Sequence, residues 1–169
     1  MHDEEDRRAI LISEVMTPDK ANFFGNVHGG YIMKKCDHVA YVCAARYSGH
    51  YAVTLSVDHI LFKKPIHVGE LVSFYATINH VGRTSMEVGI KVVAEHLLTQ
   101  EKRHTNSCFF TMVAVDENMK PTAVRPLELR NETEKRRFEE AVLRKEINQS
   151  FKQEHERRKK ELRSRFSQK

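Results

Sequence analysis

The residues best suited to chemistry lie in one short stretch, residues 25–37, where a glycine-bearing turn runs into an apolar helical segment. Asp37 is the one acid of that segment, and its neighbours at helical spacing include Met33, Tyr41 and Ala44. A carboxylate on a largely apolar helix flank is costly unless it is paired or used as a base or nucleophile. Asp37 is therefore the first candidate catalytic residue, against the alternative of a structural carboxylate paired with a neighbouring subunit.

The turn before this acid offers backbone donors. Gly29 and Gly30 carry no Cβ, so a ligand can approach the main chain closely. The N–H groups at a helix start lie at the positive end of its dipole, which favours an oxyanion or a phosphate. His28 stands inside the same turn, either as a contact to that ligand or as a side chain that caps the turn.

A second candidate binding segment is the short sequence that follows Gly82. Arg83, Thr84 and Ser85 place a guanidinium and two hydroxyls side by side. This combination suits a phosphate group. The alternative is a hairpin turn that carries a solvated arginine.

One helix and five strands would position these groups. An apolar stripe at i, i+4, i+7 predicts a helix from about residue 29 to residue 47, ended by Ser48-Gly49-His50. Alternating or β-branched segments predict strands at residues 9–16, 51–62, 70–81, 85–95 and 105–116. We expect hairpin-like connections at residues 65–69 and at Gly82-Arg83.

A strand, a long buried helix and four further strands predict an α+β hotdog fold, in which one curved antiparallel sheet wraps around the helix. A single copy leaves such a helix only partly covered. We therefore expect a dimer or a higher multiple. The predicted boundaries are residues 8–122 for this body and 123–169 for a charged, largely helical C-terminal extension.

The extension differs from the body in composition. Residues 131–169 hold 13 Lys/Arg and 8 Asp/Glu, which accounts for the whole net charge of +5 and leaves the body neutral. A neutral body gives no support to nucleic-acid binding. Apolar residues at i, i+4 spacing predict that residues 132–151 form a helix packed on the body or on a neighbouring dimer. The charge run at 154–160 is predicted to be helical or disordered, and loosely held.

The cysteines and histidines do not suggest a metal centre. Cys36, Cys43 and Cys108 form no Cys-x-x-Cys pair, and the ten histidines form no His-x-x-x-His pair. We expect buried, reduced thiols and no metal. The acidic N-terminus lacks a signal-peptide apolar stretch, and no run reaches about 18 apolar residues. These features predict a cytoplasmic protein without a membrane span.

Five spaced motifs within residues 8–122 together resemble the hotdog acyl-CoA thioesterases. They are Asn22-x-x-Gly25-Asn26-x-His28-Gly29-Gly30-x-Ile32-Met33-x-x-x-Asp37, Thr54-x-Ser56-Val57-Asp58, Phe62-x-x-Pro65-Ile66-x-Val68-Gly69, Val81-Gly82-Arg83-Thr84-Ser85-Met86 and Val113-Ala114-Val115-Asp116. The sequence is similar to the bacterial cytosolic acyl-CoA thioester hydrolases and the brain-type cytosolic acyl-CoA hydrolase. The resemblance implies hydrolysis of an acyl-CoA to a free acid and coenzyme A, with no metal or cofactor. It also implies assemblies of hotdog dimers, often trimers of dimers.

The resemblance implies catalytic roles for two residues. The family's helix acid maps onto Asp37, as a general base or as a nucleophile that forms a mixed anhydride. Its turn asparagine maps onto Asn26, which would orient the water or the carbonyl. Some bacterial relatives carry an acid and an aromatic residue where this chain has Asn26 and His28. The backbone N–H groups of Gly30 and Tyr31 would then hold the oxyanion.

The chemistry of the residues suggests substrate-binding roles beside these catalytic ones. His28, Gly29 and Gly30 would contact the substrate. Arg83, Thr84 and Ser85 would hold the phosphates of coenzyme A, with Lys63 and Lys64 as weaker candidates for the same task.

Two alternatives keep the fold but change the activity. A hotdog dehydratase of hydroxyacyl thioesters would pair His28 with Asp37, but the proline-rich turn such enzymes place between these groups is missing. A non-catalytic protein that senses acyl-CoA would bind the same ligand. A third alternative, a scaffold or nucleic-acid binder, rests only on the basic tail.

Overall fold

The computed structural model describes residues 7–58 and 60–166. The chain divides into two compact units, Met1–Leu127 and Glu128–Lys169. Among the described residues, the first unit holds five strands and one long helix, and the second unit holds one long helix.

The strands of the first unit form a single antiparallel sheet in the order β1-β3-β4-β5-β2. They are β1 (Ala9–Val15), β2 (Tyr51–Val57), β3 (Leu71–Val81), β4 (Ser85–Glu95) and β5 (Lys102–Val115). Helix α1 (Gly29–Ser48) lies against this sheet and contacts all five strands. The predicted α+β hotdog fold is confirmed.

Helix α1 begins and ends where its sequence signals lie. His28 is the N-cap, and its side chain accepts a hydrogen bond from the Gly30 N–H. Gly49 ends the helix with a φ of 74°, a left-handed conformation that glycine adopts without strain. The helix buries one stripe, formed by Ile32, Cys36, Val39, Ala40, Cys43, Ala44 and Tyr47. Met33 and Tyr41 on its other side are 45% and 38% exposed, so one copy covers the helix only in part.

The core lies between α1 and the inner face of the sheet. Alternation along β3 and β4 places every second residue there, as predicted. These buried residues are Val72, Phe74, Ala76 and Ile78 of β3, and Met86, Val88, Ile90 and Val92 of β4. Such a continuous apolar layer fixes the depth and the rotation of α1 against the strands.

The connection between β2 and β3 is not the predicted hairpin. β2 pairs with β5 at one edge of the sheet, whereas β3 lies between β1 and β4. The chain after Val57 therefore crosses to the far side of the sheet before β3 begins. The prediction was wrong because turn-forming residues mark where a strand ends but not which strand it pairs with. β2 also ends earlier than predicted, and β5 begins three residues earlier.

The second unit contains α2 (Glu132–Phe166), a helix of 35 residues. Asn131 and Glu134 form a reciprocal cap, because the Glu134 N–H donates to Asn131 Oδ1 while Asn131 Nδ2 donates to Glu134 Oε1. Ion pairs one turn apart, such as Arg157 with Glu161, lie along its surface. The predicted helix is confirmed and continues through the charge run; its packing on the body stays a prediction. Neither α1 nor α2, within the described residues, is long and apolar enough to cross a membrane.

Candidate active site

Asp37 lies near the middle of α1 and accepts a hydrogen bond from a residue of the sheet. Thr54 of β2 donates a hydrogen bond of 2.6 Å from its hydroxyl to Asp37 Oδ1. The β2–β5 register shifts between Thr54 and Ser56, an irregularity that changes the direction of the side chains around Thr54. Within the described part of the chain, Asp37 Oδ2 has no hydrogen-bond partner. One carboxylate oxygen is therefore anchored and the other is available for a water or a substrate.

The start of α1 does not offer the two donors that the sequence predicts. The Gly30 N–H donates to His28 Nδ1 at 2.9 Å, and the Tyr31 N–H donates to the His28 carbonyl at 2.9 Å. His28 therefore caps the helix, which was the alternative interpretation of this residue. Both predicted oxyanion donors are already used, because a helix start satisfies its free N–H groups locally where a capping side chain is present. The N–H of Gly29 has no partner among the described residues and is the donor that remains.

A Cβ would meet different neighbours at Gly29 and at Gly30. A Cβ on Gly30 would lie 3.1 Å from the His28 ring, so a larger residue would disturb the cap. A Cβ on Gly29 would lie 3.4 Å from the ring of Phe62. Gly29 thus lies against a residue of the loop that follows β2.

Two asparagines form the turn before the helix. Asn22 Oδ1 accepts hydrogen bonds from the N–H groups of Phe24 at 2.9 Å and Asn26 at 3.2 Å, and Gly25 takes a φ of 77°. Asn26 Oδ1 lies 2.9 Å from His67 Nδ1. Neither amide nitrogen has a partner within the residues that the structure describes. The turn therefore carries two side-chain donors, of which the sequence predicted only Asn26.

A cavity of about 320 Å³ opens beside this turn. Its lining includes Asn22, Asn26, Gly29, Phe62, Lys63 and Lys64. The structure thus brings the two lysines, predicted only as weaker phosphate contacts, next to the asparagines and the unpaired Gly29 N–H. Two cations beside these donors suit an anionic ligand.

Asp37 is not part of that cavity. Asp37 is eight positions after Gly29 in α1, which corresponds to about 12 Å at the rise of an α-helix. Within one chain the structure joins Asp37 to Thr54 and Asn26 to His67, but does not bring Asp37 and Asn26 together.

The segment predicted to bind phosphate is a tight turn between β3 and β4. The Gly82 N–H donates to the Ser85 carbonyl at 2.7 Å. The carbonyls of Arg83 and Thr84 accept hydrogen bonds from Val124 and Ala114. The Arg83 side chain is exposed, and its guanidinium has no partner in the described parts of the chain. The turn is thus held by backbone hydrogen bonds and presents the Arg83 side chain to solvent.

A cluster around Glu14 fixes the start of α1 to β1. Glu14 accepts a hydrogen bond of 2.7 Å from the Tyr31 hydroxyl, pairs with Lys35 at 2.8 Å and also pairs with Lys20. Burial alone raises the pKa of Glu14, but the hydrogen bonds from Lys20, Lys35 and Tyr31 outweigh it and lower the pKa to about 2. The carbonyl of Lys20 accepts the N–H of His28, so the same cluster supports the helix cap.

The cysteines do not take part in this chemistry. Cys36, Cys43 and Cys108 are buried and unbridged, as predicted. Burial raises the pKa of Cys43 to about 12, and a hydrogen bond with Cys108, together with burial, raises the pKa of Cys36. Thiols with such pKa values are not nucleophiles at neutral pH, so Cys36 and Cys43 are not candidate nucleophiles.

The fold, with an acid in the central helix and a donor-bearing turn before it, defines the class of hotdog-fold thioesterases. A model described as the thioesterase superfamily matches residues 24–99. The Helicobacter pylori protein VdlD is 52% identical over 145 residues, which cover 86% of this chain and 83% of VdlD. An uncharacterized acyl-CoA thioester hydrolase of Bacillus subtilis is 36% identical over 120 residues, 71% of this chain and 69% of that protein.

The comparison with solved structures agrees. The crystal structure of a hexameric acyl-CoA thioesterase superposes with a TM-score of 0.83 at 36% identity, over 86% of this chain and 93% of that one. The chain belongs to the acyl-CoA thioester hydrolases of the thioesterase superfamily.

Proposed function

We propose that this chain hydrolyses an acyl-CoA thioester to a free fatty acid and coenzyme A, and that Asp37 is its general base or nucleophile. Membership of the family supports the reaction. The observation that carries the assignment is the hydrogen bond from Thr54 to Asp37, which anchors one carboxylate oxygen and leaves the other unpaired within the described residues. A fixed carboxylate with one open oxygen suits attack on a carbonyl carbon.

Both routes consume one water molecule for each thioester. As a base, Asp37 removes a proton from water while the water oxygen bonds to the thioester carbon. The tetrahedral intermediate then breaks its C–S bond, and the leaving thiolate takes the proton from Asp37. As a nucleophile, Asp37 bonds to that carbon itself, expels the thiolate and forms a mixed anhydride that water then hydrolyses. Neither route needs a metal ion or a cofactor, and we propose that none is used.

The developing oxyanion needs a donor. We assign this role to the Gly29 N–H together with an amide of the asparagine turn. Asn26 is the candidate that the sequence predicts, and Asn22 has the same chemistry from the same turn. Alanine substitution at each is measured by the turnover number, with thermal melts as the control for the turn that Asn22 Oδ1 holds. The working amide is the one whose loss slows the reaction strongly without a change in stability.

The site supports an assembly of at least two copies. β2 is an edge strand whose apolar side chains Tyr51, Leu55 and Val57 are 65%, 66% and 40% exposed. An exposed apolar edge strand is normally covered by another chain. We propose that a second copy covers it to form a dimer and that three dimers form a hexamer, in line with the hexameric relative. Light scattering measures the mass. A cytoplasmic location remains a prediction.

Substitution of Asp37 by Asn tests the proposal. We expect the turnover number to fall by about two to four orders of magnitude, the scale of a lost general base, while the fold persists. Thiol release from acetyl- to palmitoyl-CoA measures the rate, and Asp19→Asn, at an exposed aspartate, is the matched control. A wild-type protein that binds acyl-CoA without releasing thiol would instead indicate a sensor. Near wild-type turnover in Asp37→Asn would remove Asp37 from the mechanism.

A further inference from the structure

An ion pair with a buried carboxylate lies beside the asparagine turn, outside the groups discussed above. Glu70 is 2% exposed, and Arg103 of β5 contacts both of its carboxylate oxygens at 2.8 Å. Burial alone raises the pKa of Glu70, but hydrogen bonds from Arg103 and from the His67 N–H outweigh it and lower that pKa. The pair is therefore charged, and a bidentate pair whose carboxylate is buried holds its two elements in one position.

The ion pair clamps the loop that precedes β3. The His67 N–H donates to Glu70 Oε2 at 2.9 Å, and Arg103 donates to the Pro65 carbonyl at 3.3 Å. Between them, the Ile66 carbonyl accepts the Val27 N–H at 2.8 Å. The loop thus bonds to β5 on one side and to the asparagine turn on the other, so its side chains face the turn in a fixed register.

The contact that matters for the reaction is the one from His67 to Asn26. An amide oxygen only accepts hydrogen bonds, so His67 Nδ1 carries the proton in the 2.9 Å bond to Asn26 Oδ1. That bond decides which end of the amide faces the loop. The amide nitrogen, which has no partner among the described residues, is left as the donor on the other side.

We infer that His67, held by the Glu70–Arg103 pair, is a positioning residue that orients the Asn26 amide for the reaction. The inference rests on the proposed function, in which an amide of this turn works on the thioester. This role requires that residue 67 supply a hydrogen-bond donor at the position of Nδ1.

Three variants of the exposed His67 separate orientation from mere packing. His67→Asn keeps a donor attached to Cγ, as Nδ1 is, whereas His67→Asp has the same shape without that donor. We expect His67→Asn to retain most of the turnover number. His67→Asp and His67→Ala should lower it about tenfold, the scale of one lost hydrogen bond, with little change in KM. Equal rates for His67→Asn and the uncharged His67→Ala would overturn the inference, since the donor at the position of Nδ1 would then have no effect.

A double-mutant cycle with Asn26 gives the second readout. If His67 acts through the Asn26 amide, His67→Asp should have no further effect in an Asn26→Ala background. Additive losses in the double variant would overturn the inference, as would an Asn26→Ala variant with full turnover. The Asp37→Asn result is independent of all these measurements. A slow Asp37→Asn together with no difference at position 67 would leave the proposed function standing and remove only the role of His67.

Arg103→Lys tests whether the Glu70–Arg103 ion pair holds the loop that precedes β3. Lysine keeps the positive charge but cannot contact both oxygens of Glu70 and the Pro65 carbonyl in the same plane. We expect a turnover number lowered several-fold, with KM and the melting temperature changed little. A wild-type turnover number in Arg103→Lys would remove the ion pair from the positioning device.

Discussion

The hydroxyl of Thr54 donates a 2.6 Å hydrogen bond to Asp37 Oδ1 and so joins the edge strand β2 to the middle of α1. The same hydroxyl lies 3.5 Å from Met112 Sδ on β5. The carboxylate is therefore oriented from the sheet rather than by its own helix. Because β2 is also the strand with the exposed apolar edge, the position of the candidate catalytic acid depends on the strand that a second copy would cover.

Removal of this hydroxyl should slow the reaction without unfolding the protein. Thr54→Val has nearly the same shape and no donor, so we expect a turnover number about tenfold lower. Thr54→Ser keeps the hydroxyl and should stay close to wild type. Thiol-release kinetics measure both, with thermal melts as the control for folding. If valine and serine variants turn over equally fast, the bond does not orient Asp37.

Mixing two inactive variants should restore activity. Asn26 and Asp37 are not joined in one chain, and about 12 Å of helix separates Gly29 from Asp37. We therefore expect each working site to combine Asn26 of one copy with Asp37 of the other. In a 1:1 mixture of Asn26→Ala and Asp37→Asn, roughly a quarter of the sites would then be intact after exchange across a two-fold interface.

Recovery is measured as thiol release after subunit exchange, which mass analysis of differently tagged copies confirms. Exchange without any recovered activity would mean that both residues serve one chain's site. Each variant incubated alone is the control.

Substitution of the surface cations should affect binding more than turnover. Arg83→Ala should raise KM for acyl-CoA with a smaller effect on kcat, because a phosphate contact is mostly uniform binding. Lys63 and Lys64 line the cavity next to Asn26, so a double alanine variant should raise KM in the same way. Acyl-pantetheine thioesters, which lack the nucleotide, show which of these variants has lost a contact to the nucleotide end. A variant whose KM rises equally for both substrates does not contact the nucleotide end.

Stability at low pH should depend on Glu14. Its pKa is lowered from 4.5 to about 2 in the folded protein, so its stabilising contribution is complete above pH 4.5 and is lost as the pH falls toward 2. The full shift would correspond to about 3 kcal/mol, and partial exposure with solvent screening reduces this to about 1–2 kcal/mol. Denaturant melts between pH 2 and pH 6 measure this dependence.

The comparison is with Glu14→Gln, which keeps the shape of the side chain and removes the charge. This variant should be less stable than wild type at pH 6, and the difference should shrink toward pH 2. A difference that stays constant over this range would mean that the charge of Glu14 does not stabilise the fold.

The elements of the body could be predicted from the sequence because each has a local signature. The apolar spacing of α1 and the alternation of β3 and β4 repeat within a few residues, and the signals that start and end α1 are adjacent to it. Asp37 was predicted as a candidate for the same reason, since it is the one acid in an apolar helix. Local periodicity determines which face of an element is buried, and these features follow from it.

The tertiary structure decided what lies far apart in the chain. Thr54 meets Asp37 across 17 residues, Arg103 meets Glu70 across 33 and His67 meets Asn26 across 41. It also placed β2 beside β5 instead of β3. Strand order and side-chain partners depend on how the whole sheet closes on α1, which minimises exposed apolar surface over the entire body. No stretch of a few residues carries that information, so only the folded chain shows which groups orient the candidate site.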